Sequence, residues 1–223
     1  MFTLNYEGLN FDEQQLPEFV AAVTKHQYGK KVVLNDAIAT GSYKLLEFAN
    51  GFYAYSSNYI LHKDFELELS VARPDYVALH INQIKAGAEF SLSLNNDTVS
   101  YDDKIVTSIF LTAGNDRFTL RGSSDACVNR LKIMVPKKWL SAHLPAFGER
   151  VLNSYLQLGE ERLFADALDN TYRTLVDKVM NTEDNALYLS VTQNIVVVIA
   201  ERFFSRLHQK LQKNQQGSQL AAG

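Results

Sequence analysis

Residues 65–71 read FELELSV, and this alternation of apolar and polar residues decides the fold. Successive side chains of an extended strand point to opposite faces, so the segment predicts a strand with one buried and one exposed face. Similar alternation recurs in residues 77–81, 90–94, 118–120 and 131–135. Residues 41–135 are therefore predicted to form an antiparallel sheet that is closed or two-layered.

Turn-forming residues separate these segments. Asn50-Gly51 suits the two positive φ angles of a tight hairpin. Further turns are predicted at residues 73–75, 85–87, 95–97, 114–116 and 122–125, which all contain Gly, Asn, Asp or Pro. A spacing of about 8–12 residues per strand and turn is typical of an all-β sandwich or barrel.

Composition excludes several classes of protein. The chain has 223 residues and is 46% hydrophobic, which is enough for a substantial core. A net charge of −3 argues against a surface dedicated to nucleic acid. The lone Cys127 cannot form an internal disulfide, and no signal-peptide pattern opens the chain, so we expect a cytoplasmic protein. The longest dense apolar run, residues 195–200, is far shorter than the roughly 20 residues needed to cross a membrane.

Helical patterns flank the sheet region. Residues 1–7 resemble an edge strand, residues 12–26 an amphipathic helix, and residues 32–34 a first strand of the sheet. After Val135, Pro136 is suited to open a short helix over residues 137–140. Phe164, Leu168 and Tyr172 then begin a helix predicted to end near Asn181. A second helix is predicted to run from residues 182–185 to about Lys213, and the short link makes the pair a hairpin.

These boundaries divide the chain into three parts. Residues 1–140 are predicted to form the sheet domain with its N-terminal helix, and residues 141–213 a helical region. Residues 214–223 are rich in Gln, Gly, Ser and Ala, and are predicted to be disordered.

The last helix carries two apolar stripes. One contains Val191, Ile195, Val198 and Arg202, and the other contains Val196, Ala200, Phe203, Leu207 and Leu211. Since one packing partner cannot cover both stripes, we expect the chain to form a homodimer. The predicted contact residues are Leu187, Val191, Ile195, Val198 and Phe203. Two alternatives stay open: the first helix and residues 16–23 could cover the second stripe, and the β-branched residues 195–199 could form a buried strand.

Catalytic motifs are missing. Metal sites in small barrels use a His-x-His pair, because alternate strand residues point into one lumen. The histidines are His26, His62, His80, His143 and His208, and no two are separated by a single residue. The sequence also lacks a P-loop, a nucleophile elbow and a dinucleotide fingerprint. We therefore expect no enzyme, no metal and no cofactor.

Candidate ligand contacts come from aromatic and basic residues. Tyr43, Tyr53 and Tyr55 crowd the first hairpin, where such rings either line a pocket or fill the core. His80 lies within a predicted strand. Arg121 follows the inward-facing Leu120 and could meet an anionic ligand or lie in solvent at the strand end.

The chain resembles the N-terminal sensor and dimerisation half of AraC-type transcriptional regulators. The matching segments are Gly41-Ser42-Tyr43, Asn50-Gly51-Phe52-Tyr53-Ala54, Asp64-Phe65-Glu66-Leu67, Val77-Ala78-Leu79-His80-Ile81 and Val135-Pro136-Lys137-Lys138-Trp139-Leu140. The resemblance implies a mainly β plus α chain, in which a cupin-like antiparallel β barrel without metal binds a small molecule. A C-terminal helical hairpin then joins two subunits.

In that family, DNA is read by a separate part further along the chain. Only ten residues follow Lys213 here, so we expect a fragment of a longer bacterial regulator rather than a regulator-like module that cannot bind DNA by itself. Two alternatives remain. One is a cupin enzyme with a metal. The other is a cyclic-nucleotide-type sensor, although Gly87-Ala88-Glu89 is followed by no basic residue until Lys104.

Overall fold

The computed structural model describes residues 2–7, 24–28, 31–34, 36–70, 74–84, 89–94, 97–101, 107–113, 117–144, 169–182 and 186–220. Within these ranges, the strands are β1 (Phe2–Glu7), β2 (Thr24–Tyr28), β3 (Lys31–Leu34), β4 (Ala39–Glu47), β5 (Tyr53–Leu61), β6 (Phe65–Ser70), β7 (Tyr76–Ile84), β8 (Phe90–Leu94), β9 (Asp97–Tyr101), β10 (Thr107–Ala113), β11 (Arg117–Gly122) and β12 (Cys127–Pro136). The helices are α1 (Lys137–His143), α2 (Asn170–Met180) and α3 (Ala186–Leu220).

The described strands form two sheets. One has five strands in the order β1-β6-β11-β8-β9, and the other has seven in the order β10-β7-β12-β5-β4-β3-β2. The pairings are antiparallel except that of β1, an edge strand as predicted, which runs parallel to β6. The predicted mainly β plus α class, with antiparallel strands and a C-terminal helical hairpin, is confirmed. Within the described ranges, the strands form two hydrogen-bonded layers and not one closed sheet.

The seven-stranded sheet is covered on both faces. Its inner face packs against the five-stranded sheet, and apolar residues of both sheets meet there: Phe65, Phe90, Leu92, Leu120, Ala78, Phe110, Val128 and Met134. Its outer face packs against the helices through residues such as Leu79, Leu131 and Ile133. Burial on both faces explains why β7 and β12 are buried along almost their whole length.

The helices cover the outer face through one stripe of α3. The buried residues of that stripe are Val196, Ile199, Ala200, Phe203, Phe204 and Leu207. The Tyr172 hydroxyl of α2 donates to the Ile199 carbonyl at 3.2 Å, which ties the two helices together. Residues 195–199 are helical, so the alternative of a buried strand is wrong. The helix prevails because its apolar period continues on both sides of this β-branched run.

The boundaries of three elements differ from the predictions. Residues 24–26 belong to β2 and not to the end of a helix, because β2 pairs with β3; the rest of that predicted helix lies outside the described residues. Helix α2 begins at Asn170, where the Asp169 side chain accepts a hydrogen bond from the Tyr172 amide. Helix α3 continues to Leu220, so residues 214–220 are helical where disorder was predicted. This stretch contains Gln and Leu, which favour helices, and no proline.

The end of α2 and the start of α1 agree more closely with the predictions. Helix α2 ends at Met180, next to the predicted Asn181, and α1 follows directly on Pro136. Across the described residues, no helix combines the length and the apolar character needed to cross a bilayer.

Candidate ligand-binding site

Two buried cations lie on the inner face of β12, between β7 and β5 of the seven-stranded sheet. Arg130 and Lys132 are two residues apart and therefore share a face of the strand. They are only 6% and 7% exposed, respectively. Long cationic side chains are seldom buried to this extent, so this part of the sheet differs from an ordinary core.

Strand register brings polar residues of the neighbouring strands beside these cations. On β7, Asn82 lies opposite Arg130 and His80 lies opposite Lys132. On β5, Ser57 and Tyr55 occupy the corresponding positions. We call the six residues the inner cluster: Tyr55, Ser57, His80, Asn82, Arg130 and Lys132.

His80 is held in one orientation and one protonation state. Its ring stacks on Phe110 at a centroid distance of 4.6 Å and an interplanar angle of 3°. Its Nδ1 lies 3.1 Å from an Arg130 guanidinium nitrogen, and its Nε2 lies 2.9 Å from the Thr112 hydroxyl. Because arginine only donates, Nδ1 must accept, which leaves the ring proton on Nε2 facing Thr112.

The electrostatics of the cluster are dominated by burial and by Arg130. Burial lowers the pKa of His80 well below its ordinary value, and the charges of Arg130 and Lys132 lower it further. Burial also lowers the pKa of Lys132 well below its ordinary value, with a second contribution from Arg130. Arginine keeps its proton in proteins, so Arg130 is the permanent positive charge of the site.

Aromatic rings border the inner cluster. Tyr43 and Tyr59 stack at a centroid distance of 5.6 Å, and Tyr53 meets Tyr76 edge to face at 5.8 Å. The Lys132 ammonium lies 5.9 Å from the centre of the Tyr55 ring. Burial raises the pKa of both Tyr43 and Tyr59, so their hydroxyls stay protonated and can donate hydrogen bonds.

Four of the five predicted ligand residues belong to this region. Tyr43, Tyr53 and Tyr55 pack against the inner core, and His80 is fully buried within the cluster. Arg121 does not join them, since its side chain is 58% exposed and its Nε lies 2.6 Å from a Glu66 carboxylate oxygen. Leu120 points inward, so the next residue on the strand points outward.

Sequence reasoning missed Arg130 and Lys132, the two residues with the strongest charge effects in the site. Their segment reads RLKIMV, and its pattern predicts that the apolar residues Leu131 and Ile133 form the buried face. In the structure those two residues face the helices, and the cations face the second sheet. The predicted helical hairpin was the signal that could have revealed them. Its helices must cover one face of a sheet, so a strand beneath them has one set of residues facing the helices and the alternate set facing the interior between the sheets.

A cluster of metal ligands or a surface groove would offer an alternative site. Among the described residues, no group of three or more His, Cys, Asp or Glu side chains is arranged to hold a metal ion. An open groove of about 420 Å³ lies between α2 and the ends of β7, β10 and β12. The groove is lined by Gln83, Ile84, Thr107, Cys127, Asn129, Arg173 and Asp177.

The predicted dimer residues are divided between the surface and the core. Val191 is 55% exposed and Val198 is 39% exposed, and Ile195 is half-buried on the same side of α3. Phe203 is buried against the sheet, so it belongs to the core and not to an exposed stripe. Phe203 lies five residues after Val198, which is about 1.4 helical turns, so the two side chains lie on different sides of α3. The side chain of Leu187 lies outside the described set.

Comparison with known proteins yields structural matches only. No protein-family model and no curated protein matches the sequence. Among solved structures, the chain is similar to the AraC-like transcriptional activator CuxR, with 9% identity and a TM-score of 0.46 over 85% of this chain and 64% of that one. It is also similar to the Cupin_2 domain of an XRE family transcriptional regulator from Enterobacter cloacae, with 21% identity and a TM-score of 0.29 over 38% of this chain and 82% of that one.

A salicylate 1,2-dioxygenase variant from Pseudoaminobacter salicylatoxidans is a third match, with 10% identity and a TM-score of 0.24 over 41% of this chain and 22% of that one. Regulators and an enzyme therefore both occur among the matches. At these values the matches carry no functional argument, and the function is inferred from the residues themselves.

Proposed function

We propose that this chain is the ligand-sensing and dimerisation module of a transcriptional regulator of the AraC type. In this proposal a small molecule binds between the two sheets, and α3 joins two subunits. DNA is contacted only through a separate part of the full regulator. The inner cluster is the observation that carries the proposal.

A stability argument supports a ligand at the inner cluster. Burying a cation costs free energy, and apolar replacements for buried ions are often neutral or stabilising. Arg130 and Lys132 are both buried on one face of a single strand. A core selected for stability alone would not keep two such residues there, so they are better explained by binding.

A seam on α3 supports dimerisation. We define the seam as Tyr188, Val191, Ile195 and Val198, which follow one another at steps of three, four and three residues. These steps are those of the contact positions of a coiled coil. Tyr188, Val191 and Val198 are large apolar residues that are exposed on one protomer. A second copy of α3 would cover them through the same residues, as a two-fold interface requires.

Strand β12 connects the two proposed activities. Arg130 and Lys132 lie on its inner face, while Leu131 and Ile133 on its outer face share a core with Val196, Ile199 and Phe203 of α3. The ligand site and the dimerisation helix are thus separated by the thickness of one strand. A ligand that shifts β12 would shift the surface on which α3 rests.

Light scattering tests the dimer. The double variant Val191→Glu/Val198→Glu should be a folded monomer where the unmodified chain is a dimer, with unchanged circular dichroism. Thr171→Glu/Thr174→Glu is the control, because it adds the same charge at two exposed positions of α2. A monomeric unmodified protein at high micromolar concentration would contradict the dimer, and so would dissociation by the control pair.

Metal analysis and ligand screening separate the alternatives. A thermal-shift screen of metabolites, with cyclic nucleotides included, should find compounds that stabilise the chain, and the cyclic-nucleotide alternative requires that only those nucleotides do so. One tightly held transition metal per purified chain would favour a cupin enzyme and count against a sensor without metal.

A further inference from the structure

We infer that the ligand is an organic anion whose carboxylate or phosphate group binds Arg130 and Lys132 and whose remaining part is apolar. This inference rests on the proposed ligand-sensing function. It is derived from the arrangement of charge, hydrogen-bond donors and apolar surface between the two sheets.

The spacing of the two cations suits one anionic group. Residues two apart on a strand are separated by about 7 Å along the chain, and their side chains leave the sheet in the same direction. Both heads can therefore reach the oxygens of one carboxylate or phosphate. Arginine presents a planar set of donors that matches the paired oxygens of either group.

The surrounding groups also favour an anion. His80 faces Lys132 from β7, Tyr55 faces it from β5, and Arg130 lies beside it on β12. The His80 ring directs its Nδ1 acceptor at Arg130 and already uses its Nε2 on Thr112. Arg130 and Lys132 thus lie together among buried residues beside a neutral His80, and an anion between the two cations would relieve their mutual repulsion.

The five-stranded sheet, which faces the two cations, determines the chemistry of the rest of the ligand. The described residues that the five-stranded sheet contributes to this core are apolar: Phe65, Phe90, Leu92 and Leu120. A molecule between the sheets would meet cations on one side and hydrocarbon on the other. A charged head group with an apolar body fits this pair of walls better than a fully polar molecule does.

Isothermal titration calorimetry of the full chain tests the inference with four probes: octanoate, octyl phosphate, octanamide and inorganic phosphate. We expect octanoate or octyl phosphate to bind, and whichever binds more tightly identifies the head group. Octanamide has the same length without the charge, so it should bind at least about tenfold more weakly, as expected for loss of a charged hydrogen bond. Inorganic phosphate should bind weakly, because it lacks the apolar part.

Two variants and a control assign the binding to the cluster. Arg130→Met and Lys132→Met should each weaken binding of the better anion by about 10- to 100-fold. Arg121→Met removes an exposed arginine on the five-stranded sheet and should leave binding unchanged. If Arg130→Met fails to fold by circular dichroism, Lys132→Met decides the result.

Failure of the anion inference can be distinguished from failure of the proposed sensing function. Equal binding of octanamide and octanoate, or equal loss in Arg121→Met and Lys132→Met, would overturn the anion inference. If the anions do not bind while neutral metabolites do so in the thermal-shift screen, the ligand class is wrong and the sensor remains. If no compound binds in either experiment, both the inference and the sensing function are wrong.

Discussion

Replacing Lys132 by methionine should stabilise the protein in the absence of a ligand. Lys132 is 7% exposed and lies beside Arg130 and His80 on the inner face of the sheet. Methionine fills nearly the same volume without a charge. Apolar replacement of buried ionic groups has raised stability by about 1–4 kcal/mol. The contact with the Tyr55 ring, 5.9 Å from the ammonium, is lost and offsets about 1–2 kcal/mol of this gain.

The expected net gain is about 1 kcal/mol, the difference between the middles of the two ranges, about 2.5 and about 1.5 kcal/mol. For a chain of this size, a change of 1 kcal/mol shifts the melting temperature by about 2–4 °C. Lys132→Met should therefore melt about 2–4 °C above the unmodified protein at neutral pH. Differential scanning calorimetry or thermal circular dichroism measures the shift.

The pH dependence gives a second and independent signature. The folded-state pKa of Lys132 lies well below the ordinary value of 10.5, because the residue is buried and near Arg130. Between these two pKa values the unfolded chain binds more protons than the folded one, so the free energy of unfolding rises with pH in that window. The unmodified protein should gain stability from its depressed lysine pKa up to about pH 10.5. Lys132→Met should lose this part of the slope.

Lys63→Met is the matched control, because Lys63 is exposed in the turn between β5 and β6. It should change neither the melting temperature nor the slope by a comparable amount. A fall of several degrees in Lys132→Met, together with an unchanged slope, would refute this reasoning. Lys132 would then stabilise the fold through its hydrogen bonds, and the argument for a ligand would lose one of its two cations.

Three further predictions test other parts of the molecule. Val191→Glu/Val198→Glu should give a folded monomer by light scattering, whereas a dimer that persists would exclude the seam. Gly41→Ala should lower stability by about 2 kcal/mol or more in urea denaturation, because φ is +147° and the new Cβ would lie 2.1 Å from the Asn58 carbonyl oxygen; unchanged stability would mean that the strand pair relaxes freely. Asp169→Asn should lower the melting temperature at pH 7, and by less at pH 3. The Tyr172 amide and Arg206 lower the pKa of Asp169, so its contribution is present above the ordinary value and lost as pH falls through the folded value; an equal loss at both pH values would point to packing.

The fold could be predicted from the sequence where patterns are local. Alternation in residues 65–71 and the Asn50-Gly51 turn each depend on a few neighbouring residues, and both the strand and the hairpin are present. The turn differs from the prediction in one respect, because Gly51 has a positive φ and Asn50 does not. The two stripes of α3 were also predictable. A helix has 3.6 residues per turn, so Val191 and Val196, which are five positions apart, lie on different sides of it. Long-range arrangement was not predictable in this way. Division of the strands into two sheets depends on pairings such as β1 with β6, which no local pattern encodes.

The candidate site was harder to predict for a specific physical reason. In a strand with one buried face, charged residues mark the solvent side, and Arg130 and Lys132 would then be surface residues. Strand β12 is buried on both faces, so that rule assigns its cations to the wrong environment. Tyr43, Tyr53 and Tyr55 were found because aromatic rings that crowd one hairpin either line a pocket or fill the core.

The ligand and dimer proposals depend on each other through β12. Its inner residues form the candidate site, and its outer residues share a core with α3. If ligand binding changes the dimer affinity by some factor, dimerisation must change the ligand affinity by the same factor, because both follow one thermodynamic cycle. Buried cations suit such a coupling between ligand binding and dimerisation. Arg130 and Lys132 repel each other without a ligand, and a bound anion would remove this repulsion. The instability attributed to Arg130 and Lys132 is then the free energy that a ligand can use to favour one position of α3 over another.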